Sequence, residues 1–133
     1  MDEFLEMEYK ETYKKLGYDF EGRELEWMRE MIAKYNFPIE LKLIRDLKLG
    51  TTGLTTMHSD GSATIELSNV HRNIEAIMAF LHELAHVEDA HNYWLIHHDY
   101  KKLKEHGSSW KEVAKRLGAP PTRTVLMAEM EMM

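Results

Sequence analysis

The sequence predicts an α+β domain in which a small antiparallel or mixed sheet of about three strands packs against several helices. Three observations predict it. Apolar residues recur at helical intervals through the first 38 positions, the spacing then shifts to alternation around an Asp-Gly turn, and helical spacing returns after residue 68 among closely placed histidines. At 133 residues the chain has the size of one domain. A domain this long removes about two thirds of its unfolded surface from water, so it needs neither disulfide nor metal merely to be stable. The reading is one domain over residues 1–133: helices in 1–38, a small sheet in 39–68, the histidine helix and the segment after it in 69–118, and a tail in 119–133.

Leu5, Tyr9, Thr12/Tyr13 and Leu16 give the first helix, which Gly17 stops. Leu25, Met28, Met31/Ile32 and Tyr35 line a second one, closed by Pro38. Ile39-Glu40-Leu41-Lys42-Leu43 alternates as a half-buried strand does. After the turn-rich link Gly50-Thr51-Thr52-Gly53, Leu54 to Met57 and Ala63 to Ser68 flank Ser59-Asp60-Gly61-Ser62, which signals a hairpin. Ser68 or Asn69 is the expected cap of a strongly amphipathic helix whose core face is Ile74, Ile77/Met78, Leu81 and Leu84/Ala85. A break is expected near His91-Asn92, with more helix over Tyr93, Ile96, Tyr100 and Leu103. Ser108 or Ser109 is the expected cap of a last helix with Trp110, Val113, Ala114 and Leu117 inward, ended by Gly118. The tail, with Met127, Met130, Met132 and Met133, reads as a short helix packed on the domain, a partner-binding stripe or a loose end, packing being favoured.

The chain has no cysteine, which excludes thiolate nucleophiles, iron-sulfur ligation and zinc ribbons and leaves His, Asp and Glu as metal ligands. Its formal charge of -6 argues against an extended phosphate-binding surface. No stretch of 18 apolar residues and no secretory pattern at Met1-Asp2-Glu3-Phe4-Leu5-Glu6 occurs, so the expected location is intracellular and cytoplasmic, with no membrane.

Histidine is the anomaly. Of the eight, His82, His86, His91, His97, His98 and His106 crowd one short stretch. His82-Glu83-Leu84-Ala85-His86 is HExxH: on a helix the two imidazoles share a face one turn apart, and Glu83 can reach a water at the same ion. A catalytic zinc usually takes three protein ligands. Candidates for the third are Glu88, Asp89, His91, His97, His98, Asp99, Glu105 and His106. On a continuing helix His91 points about 140° away from His86, which disfavours it. His106 precedes a glycine and a helix start, where a loop can turn its side chain back.

From Gly53 to Gly118 the sequence resembles the SprT-like zinc metallopeptidases, the family that includes the Spartan protease domain. The resemblance lies in the Gly-containing turn, the strand ending Ile65-Glu66-Leu67-Ser68, the HExxH helix, and His106-Gly107-Ser108-Ser109-Trp110 opening another helix. It implies a zincin-like metallopeptidase fold with Zn2+ on His82, His86 and His106, Glu83 as general base, and a protein or peptide substrate. For Spartan-type members it implies DNA-associated protein substrates, against which stands the absence of a strong basic DNA-binding surface.

The rest of the machinery follows as expectation. Strand Ala63 to Ser68 would offer its edge to an extended substrate. Tyr93, Tyr100, His97, His98 and Arg123 are candidate oxyanion donors. Glu88, Asp89 or Asp99 would orient a ligand imidazole, each being more often a plain solvated carboxylate. Trp110 would pack the last helix and fix where His106 points. The competing readings are a metal-dependent nuclease using His82, His86 and His91, and a silent zinc-stabilised interaction module.

Overall fold

The computed structural model describes residues 3–44, 52–68, 73–120 and 129–132. Its elements are α1 (Glu3–Lys15), α2 (Glu24–Ile32), β1 (Ile39–Ile44), β2 (Gly53–Met57), β3 (Ala63–Ser68), α3 (Asn73–His97), α4 (Ser108–Leu117) and β4 (Glu129–Met132). The α+β class and the hairpin of β2 and β3 agree with the sequence reading. The sheet has four strands in the order β1-β3-β2-β4, of which β1 pairs β3 in parallel, β2 pairs β3 antiparallel, and β4 pairs β2 in parallel. Part of the tail is therefore a strand and not a helix, and it packs on the domain as the favoured reading expected. The remaining tail positions named above, Arg123, Met127 and Met133, lie outside the described residues.

This order corrects one functional expectation. β3 lies between β1 and β2, so both of its edges are already hydrogen-bonded and it has none to offer a substrate. Among the described residues the outer edges belong to β1 and β4.

α3 is the centre of the molecule. It packs on β2 and β3, on α4, and on α1 and α2, and every residue from Ile77 to Val87 is buried. The amphipathic reading fails here because three layers cover the helix, not one. A helix surrounded in this way is buried on all sides, so His82, Glu83 and His86 sit in the interior with no exposure. The expected break near His91-Asn92 is also absent. α3 continues to His97 and ends at His98, which adopts a left-handed φ of 57°. Residues 98–107 form the connection to α4.

Smaller corrections concern helix faces and caps. In α2 the buried residues are Trp27, Met28 and Met31, whereas Leu25 is exposed. Trp27 packs edge-on against Phe80 of α3, which brings α2 to the central helix. Ser68 closes β3 through Ser68 N–H to the Thr52 carbonyl, and Asn69 lies outside the described residues. Gly107, not a serine, stands at the N-cap of α4, with Trp110, Ala114 and Leu117 on its buried face. Among the described residues no helix is long and apolar enough to cross a membrane.

Candidate metal centre

Two elements bring three imidazoles together. α3 places His82 and His86 one turn apart on the face toward α4, and the connection before α4 turns His106 back onto them. His86 Nε2 lies 3.1 Å from His106 Nε2, and His106 Nε2 lies 3.3 Å from His82 Nε2. All three ligating atoms fall within 4.8 Å of one another. One N–H can bridge one pair of such nitrogens only, so this convergence suits a cation among them. Zn–N bonds of about 2.0–2.1 Å in a tetrahedron put ligand nitrogens about 3.3 Å apart, close to both distances. Three neutral imidazoles thus fit a first-row divalent ion, and imidazole alone does not choose among those metals. His82 and His86 are fully buried and His106 is partly exposed, so the cluster meets solvent on the His106 side.

Trp110 forms the wall of the cluster. It is fully buried in α4, with its ring centroid 4.9 Å from His82, 5.1 Å from His86 in a stacked arrangement, and 4.7 Å from His106. Among the described residues its indole Nε1 has no hydrogen-bond partner, so its place is set by packing on the imidazoles and on α3.

Glu83 faces the sheet. Thr55 Oγ1 of β2 donates to Glu83 Oε1 over 2.8 Å and lies 3.2 Å from the Glu83 carbonyl oxygen. Gly53, two residues earlier on the same face of β2, makes room for the side chain: a Cβ there would stand 2.9 Å from Glu83 Cγ and 3.2 Å from Oε2. Sequence reading missed both residues. The available signal was period two, since Gly53 and Thr55 share the inward face with Met57, where an apolar residue would otherwise be expected.

The other candidates have different tasks. His91 is not in the cluster. Its Nδ1 hydrogen-bonds the Gly61 carbonyl over 2.7 Å, and its ring stacks on Phe37 at 3.5 Å. Tyr100 donates to the His58 carbonyl over 2.6 Å, and burial, with a smaller contribution from Asp60, pushes its hydroxyl up to about 12, so it remains a donor. Tyr93 packs on His97, and His98 packs on Trp94. Glu88 pairs with Arg116 and accepts from Tyr35, while Asp99 accepts from the Lys101 amide. Asp89 is buried and hydrogen-bonded by Ser109, tying α3 to the first turn of α4. Burial raises its carboxyl above the ordinary range, and the Ser109 bond opposes this more weakly.

No family model, curated protein or solved structure matches this chain.

Proposed function

We propose that the chain is a zinc-dependent endopeptidase of the SprT-like kind, with His82, His86 and His106 holding the metal and Glu83 as general base. The observation that carries this reading is the meeting of three imidazole nitrogens at tetrahedral spacing, with a buried carboxylate on the residue next to the first of them. A structural site has no use for such a carboxylate. When bound, a divalent ion supplies Lewis acidity, which acidifies water and polarises a carbonyl.

The chain's own residues do the rest. Thr55 fixes the plane of the Glu83 carboxylate by donating to Oε1. Glu83 takes the proton from the attacking water and later delivers it to the leaving amine. The low-dielectric surroundings of the site strengthen both interactions. Trp110 keeps the imidazoles in one arrangement, so little reorganisation accompanies binding.

Elemental mass spectrometry and a casein-cleavage assay test the reading. About one zinc per chain is expected in the parent protein, with a large loss in His106→Ala. Glu83→Gln is expected to retain the metal and to lower cleavage by about 10²- to 10⁴-fold. Unchanged cleavage in Glu83→Gln sinks the mechanism, and zinc retained in His106→Ala sinks the ligand set.

A further inference from the structure

The outer edge of β2 is occupied by the chain itself. β4 runs parallel to β2 with Glu129, Met130, Glu131 and Met132 opposite Leu54, Thr55, Thr56 and Met57, and it also touches α3. This edge lies beside the candidate site. Thr55, the register partner of Met130, holds Glu83 Oε1, and Gly53 abuts the Glu83 side chain. Neighbouring strands sit about 4.8 Å apart, so β4 runs one strand width from the residue that orients the base. The sheet's other outer edge, on β1, is separated from β2 by β3.

A strand edge recognises any extended peptide through its row of N–H and C=O groups. A strand of four residues in a parallel pair forms few such bonds and belongs to the part of a fold that opens first. We propose that Glu129–Met132 is a resident strand on a peptide-docking edge: an extended substrate adds to β2 only when β4 leaves, so the chain limits access to its own site. That the incoming peptide is a substrate rests on the peptidase reading; the docking edge does not.

The full chain carrying Met130→Pro and Glu131→Pro together tests this. Alternate residues of a parallel strand bond a given neighbour, so one of the two prolines removes a ladder donor in either phase. The probe is a fluorescent peptide with the sequence of residues 126–133, read by polarisation. A strand tethered in the same chain acts at an effective concentration of about millimolar, so the parent is expected to bind the free peptide at least about tenfold more weakly than the variant. In the variant, Leu54–Met57 amides exchange faster with deuterium, and added peptide slows them again. Equal affinity in parent and variant, or unchanged exchange at β2, overturns the proposal. In the unaltered chain, Glu129–Met132 amides are expected to be protected, yet to open before those of β3; no protection there also overturns it. The binding readout needs no cleavage, so a variant that gains peptide binding without cutting casein retains the strap and removes the peptidase reading.

Discussion

At residues 82–86, α3 turns two imidazoles toward a third from the connection before α4, while at His91 the same helix presents an imidazole to a backbone carbonyl. Both regions hold buried histidines and are rich in aromatic rings, yet their nitrogens have different tasks. In the first region, Nε2 atoms from His82, His86 and His106 face one another across 3.1 and 3.3 Å. In the second, the hairpin turn is fastened to α3 and the residues after it: His91 Nδ1 bonds the Gly61 carbonyl, Trp94 Nε1 donates to the Ser59 carbonyl and Tyr100 to the His58 carbonyl. The aromatic wall differs as well. Trp110 packs against all three imidazoles of the cluster, whereas Trp94 lies over Gly61, whose φ of 85° and missing Cβ allow the ring to approach. A histidine whose ring nitrogen is committed to a carbonyl fixes structure, and histidines whose nitrogens converge are suited to an ion.

His86→Ala gives the largest separation between the regions. With free zinc a thousand-fold above its dissociation constant, binding to the folded state stabilises by about 4 kcal/mol. The variant is expected to lose that zinc-dependent shift in thermal unfolding, and a chelator is expected to produce the same loss in the parent. His91→Ala is expected to keep full metal content while lowering the denaturation midpoint, by about 2–3 kcal/mol for the lost hydrogen bond and stack. Metal loss in His91→Ala would erase the distinction.

Gly61→Ala comes next. A left-handed alanine, together with a Cβ placed 2.5 Å from Trp94 Cε3, is expected to cost about 2–4 kcal/mol without changing zinc affinity. Trp94→Ala removes the steric part, so a double-mutant cycle in urea should show strong non-additivity. Additive effects would mean that Trp94 does not cover the turn.

Gly53→Ala acts in the other region. A Cβ there would press on Glu83 Cγ, so with Glu83 as the proposed general base metal content should be unchanged while casein cleavage falls roughly tenfold or more, because small displacements of a group with that role are costly. Equal loss of metal and activity would show that the strand supports the ligands instead of the base.

The smallest effect concerns Asp89. Its folded carboxyl is raised by burial above the ordinary 3.8, so the folded state holds the proton more tightly than the unfolded chain does. Stability from this group is present below 3.8 and is lost as pH rises through that value toward the raised one. Asp89→Asn should therefore be the more stable protein at neutral pH, with the gain vanishing in acid; urea midpoints at several pH values would measure it. A gain that persists in acid would exclude the ionisation as its cause.

The HExxH spacing was legible because a helix repeats every 3.6 residues, whereas His106 was one of several candidates, beside an expected turn, and was singled out by the resemblance. The hairpin and the α+β class were likewise visible in the change of period. His91 shows where local reading needed help: five residues after His86 it had to leave the cluster, but nothing nearby in sequence showed that it would meet Gly61. The burial of His82 and His86 was hidden too, since a polar helix face and a face covered by α4 have the same local spacing.

By itself, then, the sequence determined which residues share a helix face, where the hairpin turns and which residue types can ligate a metal, because these depend on local backbone geometry and side-chain chemistry. Only the tertiary structure decided that residues 77–87 of α3 are covered on every side, that Gly53 and Thr55 hold Glu83, and that β4 takes the edge beside them. Those contacts join residues 28 to 75 positions apart, and long-range pairings of that kind follow from how layers pack in three dimensions, not from any period along the chain.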